Sequence, residues 1–123
     1  NVLLIGNPGI DFLRAPYEHA IWDLGAAWHE LTGLPFVYAV WALRRGHHDE
    51  ALREKLRTAK THGLAHIAET IETYPDYDAH FRQTYLDGHI RYDLGESEKA
   101  GLGKFAELLK THGNQSIYEP TFV

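Results

Sequence analysis

The hydrophobic positions between residues 23 and 43 change their period, from helical spacing to strict alternation. Asp23 can cap the first turn of a helix, and Gly33 follows the last helical residue as a C-terminal stop. From Leu34 to Leu43 the side chains alternate between two apolar faces, which is typical of a strand in a sheet covered on both sides. A buried helix is the alternative, but Pro35 and the β-branched and aromatic residues favour the strand. The sequence therefore predicts a helix followed by a buried strand.

The rest of the pattern predicts mainly helices, with one further short strand over Val2–Ile5. A buried strand with one short neighbour leaves backbone groups unpaired, at about 1–3 kcal/mol each. We therefore expect its partner strands to lie on residues outside these 123 or on another chain. Further helices are predicted from Asp49 to Gly63, where the pattern breaks or kinks, over 64–74, from Asp78 to Gly88 and from Gly95 to Gly113. The pattern also predicts a turn at Gly46-His47-His48, an extended stretch over 90–94, and irregular structure over 10–22 and 115–123.

Composition narrows the class of protein. A length of 123 residues suits one domain, and a net charge of −5 argues against nucleic acid or an anionic membrane as a partner. The longest apolar run, Leu34–Leu43, has about half of the ~20 residues that a membrane helix needs. The absence of cysteine excludes disulfides and thiol chemistry. Because the chain has no methionine and opens inside a predicted strand, we expect more polypeptide before Asn1, and a signal peptide there stays open.

The segment Gly6-Asn7-Pro8-Gly9 is a candidate binding loop, because it follows a predicted strand. In open α/β sheets ligands bind beyond the carboxyl ends of strands, and glycine permits close approach of the backbone. The Asn7 amide offers both a donor and an acceptor. A plain turn explains the same residues.

Two other groups of residues invite a functional interpretation. His62 and His66 are four residues apart, with Glu69 and Thr70 on the same face, so an unbroken helix could present them to zinc. Histidine also suits the negative ends of helices, and we predict no metal site. Phe36 and its aromatic neighbours could wall a pocket, although core packing is the ordinary role of such side chains.

Several segments resemble one family. They are Asp23-Leu24-Gly25, Trp28, Leu31–Val37, Ala39–Ala42, Leu3–Gly6, Tyr85 to Gly95, and Gly101-Leu102 with Phe105. In these segments the chain resembles the menaquinone-biosynthesis family of the futalosine route, in its chorismate dehydratase branch. The resemblance runs from residue 2 to about residue 110. Residues 23–42 carry it most specifically.

The resemblance implies an α/β, two-lobed fold like that of type II periplasmic solute-binding proteins, here seen as a helix-rich C-terminal part. Residues 1–33 would finish the second lobe, and residues 34–123 would hold the crossing strand and the helices that return to the first lobe. It further implies a cytoplasmic enzyme that dehydrates chorismate without a metal or redox cofactor. Its partners would be this substrate, the rest of the polypeptide and, as an open alternative, a second copy.

The resemblance also bears on the site. It implies that most catalytic groups lie outside these residues, while Gly6, Asn7 and Phe36 contact the substrate. A sister branch carries a catalytic histidine in the loop where this chain has Gly6, which disfavours the sister reaction. Dehydratases often have aspartate at the place of Asn7, so an acid–base role there is in doubt. Two alternatives stay open: a non-catalytic solute-binding protein for a small carboxylate, and a small helical module that folds alone.

Overall fold

Helices dominate the computed structural model, which describes residues 1–44, 46, 49–113 and 116–123. Most helix starts coincide with the start signals in the sequence. The predicted turn at His47 and His48 lies outside the described residues. The helices are α1 (Asn7–Arg14), α2 (Leu24–Thr32), α3 (Glu50–Ala65), α4 (Ile67–Thr73), α5 (Ala79–Gln83) and α6 (Glu96–His112), with a π-helix over Thr84–His89 after α5.

Three aspartates cap helices, at the positions that the sequence indicates. Asp23 accepts a hydrogen bond from the Ala26 backbone N–H at 2.8 Å, at the start of α2. Asp49 and Asp78 make the equivalent bonds at 2.9 and 2.8 Å, at the starts of α3 and α5. Each bond satisfies one of the backbone donors that a helix start leaves free. Gly33 ends α2 with φ +70°, which glycine adopts without a steric penalty. The capping predictions are therefore confirmed.

The strand predictions are wrong for the structure. Among the described residues no strand is present, and Val2–Ile5 and Leu34–Leu43 are neither strand nor helix. The segment 90–94, predicted to be extended, also lies outside the helices, and Ile90 at its start has an extended backbone with φ −83° and ψ +128°. The physical reason is that a strand exists only through hydrogen bonds to a neighbouring strand. Alternating side chains show that a segment has two faces suited to a sheet, but they do not supply the neighbouring strand.

The prediction of irregular structure over residues 10–22 is wrong for its first part, because α1 runs from Asn7 to Arg14. Pro8 lies in the first turn, where proline's missing N–H costs nothing and its fixed φ suits the helix. The Gly-Asn-Pro-Gly segment is thus a helix start. At Gly63, where a break or kink was predicted, α3 continues to Ala65, and the boundary with α4 falls at His66.

The buried core is small. Trp28, Ile71 and Ala106 are the buried hydrophobic residues of the described part, each at most 9% exposed. The chain exposes 10249 Å² of surface, whereas a folded monomer of 14.0 kDa exposes about 6,700 Å². Large apolar side chains account for part of this excess, including Val2 at 85% exposed and Tyr38 at 77%. The 123 residues therefore bury much less apolar surface than a monomer of this mass.

Within the described ranges, no helix combines the length and the apolar character that crossing a membrane requires.

Candidate functional site

The predicted binding loop forms the N-terminus of α1. Gly6 precedes the helix with φ +68° and ψ −144°, a conformation that favours glycine. Its carbonyl oxygen accepts hydrogen bonds from the N–H groups of Gly9 and Ile10, at 2.9 and 3.2 Å. No side chain caps this helix start. The Asn7 N–H and side chain thus lie at the positive end of the helix dipole, where anionic groups are favoured.

Helix α1 is attached to the rest of the chain through polar contacts. It has no buried residue. Arg14 pairs with Asp78 at 2.7 Å, from Nη2 to Oδ2, and Asp11 accepts a hydrogen bond from the Tyr77 hydroxyl at 2.9 Å. The Arg14 guanidinium also lies over the Tyr77 and Phe81 rings, 5.6 and 4.6 Å from their centroids. We call these five residues, Asp11, Arg14, Tyr77, Asp78 and Phe81, the Arg14 cluster.

The backbone at the centre of this cluster is strained. Tyr77 has φ +66°, and it is the one residue other than glycine with positive φ in the described part. For a side chain with a Cβ this conformation costs about 1–2 kcal/mol in general. The carbonyl oxygen of Tyr77 accepts a hydrogen bond from Nη1 of Arg82 at 2.6 Å, which helps to hold the turn. Strain that persists indicates that surrounding contacts fix the conformation.

The contacts of the Arg14 cluster shift the pKa values of Asp78 and Tyr77. The pKa of Asp78 lies below its ordinary value because its carboxylate accepts the Phe81 backbone N–H and, secondly, faces Arg14. The pKa of Tyr77 is raised, first by desolvation and then by the hydrogen bond and negative charge of Asp11. Both shifts favour the ionised carboxylate and the neutral phenol at neutral pH. The Arg14–Asp78 pair is therefore charged under ordinary conditions.

Phe36 lies in the aromatic core, away from the contacts of α1. Its ring meets Trp28, Tyr38 and Phe105 edge-on, with centroids 5.7, 5.0 and 5.5 Å away. The Trp28 indole N–H donates to the Pro35 carbonyl oxygen at 3.2 Å and fixes the backbone before Phe36. These contacts are those of a core residue, which is the alternative role given above for Phe36. A role for Phe36 in binding substrate stays a prediction.

His62 and His66 stack on each other and are not arranged to chelate a metal ion. The rings of His62 and His66 stack with centroids 4.1 Å apart and planes 16° from parallel. Nδ1 of His66 lies 2.8 Å from the His62 carbonyl oxygen, at the boundary between α3 and α4. The described residues contain no group of three or more metal-ligating side chains placed to share an ion.

Two open clefts lie elsewhere on the surface. One, of about 390 Å³, is lined mainly by residues from the π-helix to the first turn of α6, including Asp87, Tyr92 and Asp93. The other, of about 420 Å³, lies beside the residues that follow α1, including Tyr17 and His19. Neither cleft is lined by Gly6, Asn7 or Phe36. A role for Gly6 and Asn7 in binding substrate, like that of Phe36, stays a prediction.

Sequence reasoning missed the Arg14 cluster. Asp11 and Arg14 lie more than 60 residues before Tyr77, Asp78 and Phe81, and no local pattern joins the two groups. The one available signal was the capping aspartate Asp78, whose carboxylate also binds Arg14. A capping residue with a second, distant partner cannot be recognised from spacing alone.

Comparison with known proteins relates the chain to enzymes. The profile of a family described as menaquinone biosynthesis matches residues 1–111. A chorismate dehydratase of Thermus thermophilus is 40% identical over 96 residues, which are 75% of this chain and 35% of that protein. A chorismate dehydratase of Campylobacter jejuni is 29% identical over 111 residues, or 88% of this chain and 48% of that protein. The chain thus spans half or less of these relatives. No solved structure matches it.

Proposed function

Because the chain belongs to the menaquinone biosynthesis family, we propose that it acts as part of a chorismate dehydratase of the futalosine route. The observation that carries the proposal is its similarity to two proteins of that name, one of them 40% identical. The reaction converts chorismate to 3-[(1-carboxyvinyl)oxy]benzoate and water. The activity belongs to the complete polypeptide, in which these residues supply a C-terminal part.

The chemistry makes modest demands on the protein. A ring C–H bond and the ring C–OH bond break, a ring double bond forms, and the proton and hydroxyl leave together as water. A general base must accept the proton, and a donor must assist the departing hydroxyl. Aromatisation supplies the driving force, so that holding the substrate in the reactive geometry contributes much of the rate. The substrate also presents two carboxylates, which need hydrogen-bond donors in the cleft.

In this proposal Gly6 and Asn7 bind a substrate carboxylate. The uncapped first turn of α1 supports the assignment, because its free N–H and the Asn7 side chain can donate to an anion. The Asn7 amide has no charge, so its proposed role is to bind and orient the substrate. Phe36 is proposed as a wall of the same cleft. The support for this assignment is that Phe36 lies close in the chain to residues 38–42, which are exposed.

The proposed fold is α/β and two-lobed, like that of type II solute-binding proteins. Residues 1–33 complete the second lobe, and residues 34–123 begin with the connection back to the first lobe. The exposed apolar side chains support this arrangement, because Val2, Tyr38 and Trp41, at 85, 77 and 66% exposed, need a covering surface. Strands of the remaining polypeptide supply that surface in such a fold. The location proposed for the enzyme is the cytoplasm.

The test is turnover of chorismate by the full-length protein, followed by proton NMR. We expect the ring signals of chorismate to be replaced by those of a benzoate substituted at one meta position, with the enolpyruvyl group retained. A sample without protein controls for spontaneous breakdown of chorismate. Tight binding of chorismate without conversion would instead support the non-catalytic solute-binding protein. Absence of both binding and conversion would refute the proposal.

A further inference from the structure

We infer that Arg14 and Tyr77 are positioning residues, which hold α1 and thereby set the place of Gly6 and Asn7. The inference rests on the proposed function, because it deepens the account of the substrate-binding loop. Its basis is that this helix is fixed at one end by a strained polar cluster and carries the candidate loop at the other.

The first step concerns how α1 is held. The helix buries no residue, so hydrophobic packing contributes little to its attachment. Among the described residues, the hydrogen bonds and ion pairs that join its side chains to other elements come from Asp11 and Arg14. Both partners, Tyr77 and Asp78, belong to the turn before α5. The described contacts that fix α1 against distant parts of the chain therefore lie at this turn and at Phe81, whereas Phe12 of α1 stacks on Tyr17 in the segment that directly follows the helix.

The second step concerns the turn itself. Tyr77 keeps φ +66°, a conformation that tyrosine rarely adopts without support. Arg82 binds its carbonyl oxygen at 2.6 Å, Asp11 binds its hydroxyl at 2.9 Å, and Arg14 lies over its ring. The backbone conformation aims the ring at α1, and three separate contacts hold it there. A relaxed turn would direct this side chain elsewhere.

The third step connects the cluster to the loop. Arg14 is the last residue of α1 and Asn7 is the first, so the two lie about 10 Å apart along one rigid helix. A helix transmits a change of orientation from one end to the other. Loosening α1 at Arg14 would let Gly6 and Asn7 move, and substrate would then have to order them on binding. This cost falls equally on bound substrate and transition state, so it raises KM and leaves kcat unchanged.

The test uses three variants of the full-length protein. Arg14→Gln removes the ion pair and the cation over the rings. Tyr77→Gly removes the ring and hydroxyl but keeps the turn, because glycine adopts positive φ freely. Arg57→Gln is the matched control, since Arg57 makes surface ion pairs with Glu50 and Glu54 on α3 and none with α1. Arg14→Lys, which retains the charge, is the conservative variant expected to rescue.

We expect Arg14→Gln and Tyr77→Gly to raise the KM for chorismate by about fivefold or more, with kcat within about twofold. In the same variants the Gly9 and Ile10 amides, whose hydrogen bonds form the first turn of α1, should exchange with deuterium about fivefold faster or more. Arg57→Gln should match the wild type in both measurements, and Arg14→Lys should recover most of the KM.

Wild-type KM and wild-type exchange in both variants would overturn the inference. So would a loss of kcat with KM unchanged, or equal changes in Arg57→Gln. If the wild-type protein does not convert chorismate, the proposed function fails, and the exchange rates still decide whether the cluster fixes α1: faster exchange at Gly9 and Ile10 supports it, and unchanged exchange overturns it.

Discussion

Replacing Gly101 by alanine tests how closely the backbone of residues 34–35 packs against α6. Gly101 is buried in the interior of α6, where the backbone of residues 34–35 runs against the helix. A Cβ atom there would lie 2.3 Å from the Pro35 carbonyl oxygen. That oxygen belongs to the backbone and accepts the Trp28 indole N–H at 3.2 Å. The segment therefore cannot move away without disturbing the hydrogen bond that fixes it.

The magnitude follows from three contributions. Overpacking of this kind costs about 1–3 kcal/mol, and loss of the Trp28–Pro35 hydrogen bond costs about 0.5–1.5 kcal/mol. Alanine in a helix interior gains about 0.5–1 kcal/mol over glycine. We therefore expect Gly101→Ala to lower the free energy of unfolding by about 0.5–4 kcal/mol.

Gly103 supplies the control in the same helix. A Cβ atom at Gly103 would meet no atom within 4 Å, so Gly103→Ala should raise the free energy of unfolding by about 0.5–1 kcal/mol. Urea unfolding of the full-length variants, followed by tryptophan fluorescence, measures both changes. If Gly101→Ala is as stable as Gly103→Ala, with the same dependence on urea, the close approach of residues 34–35 to α6 is refuted.

Three further predictions concern a cap, a titration and the proposed loop. Asp23→Ala should lower the free energy of unfolding by about 1 kcal/mol because it removes the cap of α2, and thermal denaturation showing no loss of stability would contradict this. Because the pKa of Asp78 is lowered in the folded state, the pair with Arg14 stabilises the fold above about pH 4, and this contribution is lost as the pH falls through the folded pKa. The stability difference between wild type and Arg14→Gln should therefore be constant near neutral pH and shrink in acid; a difference that persists unchanged to pH 3 argues against the pair. Asn7→Leu should lower kcat/KM for chorismate about tenfold and Asn7→Asp at least as much, because neither side chain donates to a substrate carboxylate and the aspartate also repels it; steady-state kinetics with both variants close to wild type would remove Asn7 from the binding site.

Local signals in the sequence predicted the helix starts well. Asp23, Asp49 and Asp78 each bind a backbone N–H three residues ahead, so both partners lie within one turn of the chain. The glycine at position 33 is equally local, since its positive φ ends the helix that precedes it. Such features are decided by the residues beside them, and spacing is enough to find them.

The features that failed depend on distant partners. The alternation over Leu34–Leu43 describes a surface suited to a sheet, but the described residues contain no second strand to pair with it. The sequence predicts a binding loop or a plain turn over Gly6–Gly9, because the pairing of α1 with residues 77 and 78 is not visible in that segment's own sequence. The candidate site was found only in part for the same reason. Gly6 and Asn7 carry a local signal, whereas the cluster that holds their helix does not.

Burial of the segment 34–43 in the complete protein is measured most directly by deuterium exchange of its amides. In the described chain residues 38–42 are exposed and have no strand partner, so their amides would exchange as fast as those of an unstructured peptide. In the full-length protein we expect them to be protected as strongly as the interior of α6, because the rest of the two-lobed fold covers this segment. Exchange at the unprotected rate in the full-length protein would contradict the proposed fold.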